Sequence, residues 1–219
     1  MPVLQVDDLA MRFGERPVLE NLALRVERGE LVALRGANAA GKSTLLRLCA
    51  GLLLPRVGRV RVAGRSPDAA RRRSWIGWSD GGERSFIRRL SLCSNLLLCT
   101  RLAGYGDRVG RARIAEQAEL LEFESHLEVS AERCSTGLRQ RAALARALIT
   151  GSKLLLLDEP LRGVDAESSL RLALRVRQWA RDRAVLWVSH RPDEVAAVGD
   201  RSLRLECGRL VSAPRVRAA

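Results

Sequence analysis

A chain of 219 residues, 47% hydrophobic and 29% charged, is long enough to bury a core as one α/β domain and too short for a second full one. Its longest apolar runs, such as residues 96–99 and 154–157, fall far short of the roughly 20 residues that a membrane-spanning helix needs. The net charge of +13 invites an acidic partner, but all except two of the basic residues are arginines spread along every segment. A nucleic-acid surface gathers its cations on one face, so no nucleic acid is expected as a partner.

The N-terminal MPVLQVDDLAMRF lacks the basic-then-apolar layout of a secretory signal, and the chain is expected in the cytoplasm. Strand patterns come first, at residues 3–6, 22–26 and 31–34. A helical pattern follows over 42–52, then strands at 58–62 and 75–78. Residues 95–102, 111–123 and 138–149 carry apolar side chains at three- and four-residue spacing and are expected to be helices. The chain then returns to alternation, with a strand at 154–157, a helix at 167–181 and strands at 184–188 and 202–205. Strands alternating with helices imply a parallel sheet covered on both faces. The helical stretch from about 83 to 150 reads as an insertion into that core. Five cysteines, Cys49, Cys93, Cys99, Cys134 and Cys207, form no Cys-x-x-Cys pair, which points to reduced and mostly buried thiols.

Between the third strand and the first helix lies GANAAGKS at 36–43, which satisfies the spacing G-x-x-x-x-G-K-S/T. A triphosphate needs many donors at once, and such a loop offers backbone N–H groups, the positive end of a helix and a lysine. Gly36, Asn38, Ala39, Ala40, Gly41, Lys42, Ser43 and Thr44 are therefore the expected ATP-binding residues. Lys42 would reach the β- and γ-phosphates and the Ser43 hydroxyl would ligate Mg²⁺. Downstream, KLLLLDEP places Asp158 and Glu159 at the end of an apolar strand, where open α/β sheets bind ligands. Asp158 would hold Mg²⁺ and Glu159 would polarise the attacking water.

Between these motifs lies CSTGLRQRAALARAL, residues 134–148, and with it the chain resembles the ATPase subunits of ABC transporters. Ser135 and Gly137 match the serine and second glycine of the family signature LSGGQ, whereas Cys134, Thr136 and Leu138 depart from it. STGLRQR is similar to the S-x-G-M-R-Q-R form of ABC-2-type exporters. Phe13 matches the aromatic that stacks on adenine, Gly163 and Asp165 in LRGVD match the D-loop, and His190 matches the switch histidine. A packed core aromatic and a satisfied core histidine are the alternatives for Phe13 and His190. Ala39 replaces a usual glycine, a change expected to leave binding intact. The family's Q-loop glutamine would fall near Gly81, so Asp80 or Glu83 are candidate substitutes, with solvated loop charges as the alternative.

The resemblance implies a P-loop NTPase core with a mainly parallel sheet, a small N-terminal antiparallel β subdomain and an inserted helical subdomain. Residues 1–82 and 151–219 would form the ATP-binding core and 83–150 the helical part. It further implies ATP hydrolysis with Mg²⁺, and a head-to-tail pair of cassettes, expected as a homodimer, in which Ser135, Thr136 and Gly137 close the partner's nucleotide site. A separate transmembrane permease, docked near residues 79–101 with Phe86 and Ile87 as contacts, would hold the chain at the cytoplasmic side of the membrane. Two alternatives remain at this level: an ABC ATPase acting on nucleic acid or the ribosome, and the haem-exporter ATPase of cytochrome c maturation.

Overall fold

The computed structural model describes residues 1–80, 86–190 and 198–212. Two sheets share the apolar sequence between them. The smaller is antiparallel, in the order β2-β1-β4, from β1 (Leu4–Phe13), β2 (Arg16–Val26) and β4 (Val57–Val62). The larger is built from β3 (Leu31–Arg35), β5 (Ile76–Ser79), β6 (Leu154–Asp158), β7 (Ala184–Val188), β8 (Arg201–Glu206) and β9 (Arg209–Ser212). Its order is β5-β6-β7-β3-β8-β9, parallel except for the β8–β9 hairpin.

The central parallel strands β3, β6 and β7 are apolar at successive positions because both their faces are buried. Leu155, Leu157, Val185 and Trp187 face a core shared with α3 (Leu92–Leu102), α4 (Asp107–Leu120), α5 (Thr136–Leu148) and α6 (Ala166–Ala180). Leu154, Leu156, Leu186 and Val188 face the other way, into a core with α1 (Lys42–Cys49) and the inner side of the small sheet. A short helix, α2 (Pro67–Arg71), begins on the Ser66 cap with proline in its first turn. The mainly parallel sheet, the antiparallel subdomain and the covering helices are those expected from the sequence.

Several bounds differ, each for a local reason. β1 runs on to Phe13, past register shifts and a left-handed Asp8 (φ 48°) that mask its period of two. The first helix ends at Cys49, three residues short of its apolar pattern, where Gly51 turns left-handed (φ 68°) and Leu52 N–H returns to the Arg47 carbonyl at 2.8 Å. α3 starts earlier than its pattern because Ser91 Oγ caps it through Ser94 N–H at 3.1 Å. At Gly77 the signature helix lies so close that an added Cβ would stand 2.1 Å from the Ala147 carbonyl oxygen. The described cysteines are all free: Cys49, Cys93 and Cys134 are buried, and Cys207 is exposed in the β8–β9 turn. Burial pushes the Cys49 thiol up to about 12, which leaves it a small apolar side chain without nucleophilic character.

Candidate active site

The loop between β3 and α1 is shaped by backbone that side chains tolerate poorly. Gly36 (φ 150°) lies against β8, where a Cβ would come within 2.5 Å of the Leu205 carbonyl oxygen. Gly41 (φ 101°) precedes α1 with no side-chain cap, so the helix presents its first N–H groups unshielded. No acidic residue sits in that first turn to compete for an anion. Ala39 is also left-handed, at φ 61°. The replacement of glycine there is thus more than an added methyl group, because an L-residue in this region is strained by about 1–2 kcal/mol.

Lys42 is buried, and its Nζ donates to the carbonyls of Gly36 and Ala37, both at 2.7 Å. Burial lowers its pKa, opposed by the carboxylates of Glu159 and then Asp158. The ammonium therefore sits among fixed dipoles and acids, held at the loop. Asp158 closes β6, and Glu159 follows with a left-handed backbone, φ 47°. Glu159 N–H donates to the Val188 carbonyl at 2.9 Å, and its carboxylate Oε1 meets Nε2 of His190 just beyond β7. Strain of this kind persists only where the surroundings over-determine it, and it clusters at functional sites.

These groups converge on a cleft of about 540 Å³ lined by Phe13, Arg16, Val18, Asn38, Ala39, Gly41, Lys42, Ser43, Thr44, Glu159 and His190, a size common for small-molecule sites. Phe13 lies in the β1–β2 hairpin, not ahead of it, and is 51% exposed, which removes the core reading for this ring. His190 is likewise partly exposed beside Glu159 and is no core histidine. Gly36, Ala40 and Asp158 flank the cleft without lining it.

Arg16 and Val18 were not legible as cleft residues. Arg16 is the register partner of Phe13, and Val18 lies two residues on along the same strand face. The Val18 carbonyl stands 3.0 Å from where a Cβ on Gly41 would be and 2.9 Å from the same point on Gly208. Alternation along the first hairpin is the signal that would have shown them, once Phe13 was placed.

The signature residues lie elsewhere. Ser135 caps α5, its Oγ accepting Leu138 N–H at 3.2 Å, and neither it nor Thr136 nor Gly137 lines the cleft. Thr136 touches the D-loop instead, its methyl 3.4 Å from where a Cβ on Gly163 would stand. Asp165 caps α6 by accepting Ser168 N–H at 2.9 Å, a bond that holds its carboxyl below the usual range. Asp80 follows β5 as an exposed carboxylate and pairs with Arg146 of α5 at 3.5 Å; Glu83 lies outside the described residues. Phe86, on the proposed docking segment, takes the same Arg146 guanidinium over its ring at 5.4 Å, and Ile87 is exposed.

A loop of this form, an acidic strand end and a neighbouring histidine around one cleft define a P-loop nucleotide hydrolase. The family described as ABC transporter matches residues 19–162. An aliphatic sulfonates import ATP-binding protein, SsuB, of Granulibacter bethesdensis is 35% identical over 99% of this chain and 87% of its own. The ABC transporter ATP-binding protein NatA of Bacillus subtilis is 31% identical over 95% and 88%. Among solved structures, a dimeric ATP-binding cassette in a post-hydrolysis state with ADP and Pi matches with a TM-score of 0.87, at 23% identity, over 99% of this chain and all of that one. The chain belongs to the ATP-binding subunits of ABC transporters and is an ABC-type ATPase. No helix among the described residues is long and apolar enough to cross a membrane.

Proposed function

We propose that this chain is the ATPase subunit of an ABC-2-type exporter, working as a homodimer beneath a separate permease. The observation that carries the catalytic part is the single cleft joining Phe13, the phosphate loop, Glu159 and His190. Adenine stacks on Phe13 beside Arg16, and the phosphates run past Val18 to Gly41 and the N-terminus of α1. Lys42 meets the β- and γ-phosphates, and Glu159, held against His190, accepts a proton from the attacking water. His190, in turn, orients that carboxylate at the γ-phosphate end.

Ser43 Oγ and the Asp158 carboxylate are hard oxygen donors suited to Mg²⁺, and no cluster of three or more His, Cys, Asp or Glu among the described residues forms an all-protein cage. Two protein oxygens, with waters and phosphates completing the shell, is how Mg²⁺ is usually bound. When bound, the ion neutralises phosphate charge. Asp80, fixed by Arg146 at the end of β5, takes the place of the family's Q-loop glutamine and links the cleft to the permease-docking segment. The core comprises residues 1–82 and 151–219, and 83–150 form the helical subdomain.

Because Ser135, Thr136 and Gly137 stand outside the cleft, the uncapped face of the bound nucleotide is met by those residues of a second chain. The exporter reading rests on STGLRQR and is supported by the likeness to a Nod factor export ATP-binding protein of Rhizobium etli, 32% identical. An importer is the second reading, favoured by the 35% identity to SsuB. Purification from membranes with the attached permease separates the two.

The dimer reading has a direct test. Glu159→Gln keeps the side chain's shape and removes a base that contributes ~10² to 10⁴-fold to rate. With saturating Mg-ATP it should accumulate as a dimer in size-exclusion chromatography, and adding Ser135→Arg should return it to monomer. A Glu159→Gln protein that stays monomeric refutes the homodimer.

A further inference from the structure

Helix α5 reaches the catalytic loop of its own chain through a buried amide. Gln140 is 1% exposed, and its Nε2 donates to the backbone carbonyl of Glu159 at 2.8 Å. A polar side chain at that depth must be hydrogen-bonded, and this bond places its donor on the residue with the left-handed backbone, φ 47°. The other side of the same Cα is tied as well, by Glu159 N–H to the Val188 carbonyl at 2.9 Å. Relaxing Glu159 out of the left-handed region rotates one of these peptide groups away from its partner. The two bonds therefore fix the direction in which the Cα–Cβ bond, and with it the carboxylate, points.

The contact is part of a longer seam. Thr136, one helical turn before Gln140 and on the same face, rests against Gly163, and Arg141 Nη2 lies 3.5 Å from Ser168 Oγ at the start of α6. One face of α5 thus lies along the segment from Glu159 to Ser168. The N-terminus of that helix carries Ser135.

We infer that Gln140 is a positioning residue for Glu159, holding the catalytic carboxylate in its strained backbone from the helix that meets the other cassette. The inference rests on the reading of Glu159 as general base. Displacement of α5 when two cassettes close is then carried by one hydrogen bond to the base of the same chain. Gln140 does not line the cleft, and its removal acts on turnover without acting on ATP affinity.

The test is a double-mutant comparison. Gln140→Met preserves chain length and packing but has no donor, and Glu159 keeps a carbonyl bond from Arg162 N–H at 3.1 Å, so no buried carbonyl is orphaned. In the otherwise wild-type protein kcat should fall about tenfold or more, within the ~10²-fold that a 1 Å misplacement costs. KM, the ATP dissociation constant and the thermal midpoint should hold. In the Glu159→Gln background the same change should have no further effect on the residual rate. If Gln140→Met does not unfold cooperatively, Gln140→Asn, whose amide falls one methylene short, carries the same expectation. Wild-type kcat, a shift in ATP affinity in place of kcat, or an equal loss in both backgrounds overturns the inference alone. Undiminished turnover in Glu159→Gln by itself overturns the base reading and the inference with it.

Discussion

Phe13→Ala separates nucleotide recognition from folding, because the ring is 51% exposed and belongs to neither buried core. Its loss should change stability by no more than ~0.5 kcal/mol, the usual range for surface positions. Binding is a different matter, since a purine laid on the ring forms an aromatic pair worth ~0.5–1.5 kcal/mol. At about 1.4 kcal/mol per decade, the ATP dissociation constant should rise roughly 2- to 12-fold. The phosphate contacts at Gly41, Lys42 and Ser43 are untouched, so tripolyphosphate should bind both proteins equally. Isothermal titration with the two ligands, alongside thermal unfolding, reads each part. An unchanged ATP affinity, or an equal loss for tripolyphosphate, refutes adenine stacking on Phe13.

Lys42→Ala should abolish ATP hydrolysis in a phosphate-release assay, because Lys153, the other lysine of the chain, is held over the Trp75 ring at 3.8 Å; measurable turnover would refute the phosphate-loop assignment. Gly77→Ala should destabilise the protein by ~1–3 kcal/mol in urea unfolding, the scale of an overpacked site, since its Cβ meets the Ala147 carbonyl. Ala39→Gly should relieve about 1–2 kcal/mol of left-handed strain against ~0.4–1 kcal/mol of added chain entropy, a small net gain readable in the same urea titration.

Contiguous chemistry was legible in the sequence, and contacts across the fold were not. GANAAGKS and KLLLLDEP each put a ligand-facing group next to a regular element within a few residues, so spacing alone placed Lys42 and Ser43 at a helix start and Asp158 and Glu159 at a strand end. The centre of the doubly buried sheet was equally legible, because β3, β6 and β7 are unbroken apolar runs up to their last residue. β1 was legible only at its start, since bulges reset its alternation. Ala39 hid its meaning because a φ is no property of composition. Gln140 hid its role because the bond to Glu159 joins a helix face to a strand end through one amide, and nothing in the local pattern of α5 distinguishes it from its neighbours.

The carbonyl of Val18 touches Gly41 on one side and Gly208 on the other, and the neighbouring Glu20 N–H is tied to the Gly208 carbonyl at 2.9 Å. The β1–β2 hairpin, the phosphate loop and the β8–β9 turn therefore meet at a single strand. Through these contacts a tilt of the small sheet would be passed to the far hairpin, although the two lie at opposite ends of the chain. Cys207 is exposed on that hairpin's turn, where a fluorophore attached to its sulfur would register the small sheet's motion without entering the cleft.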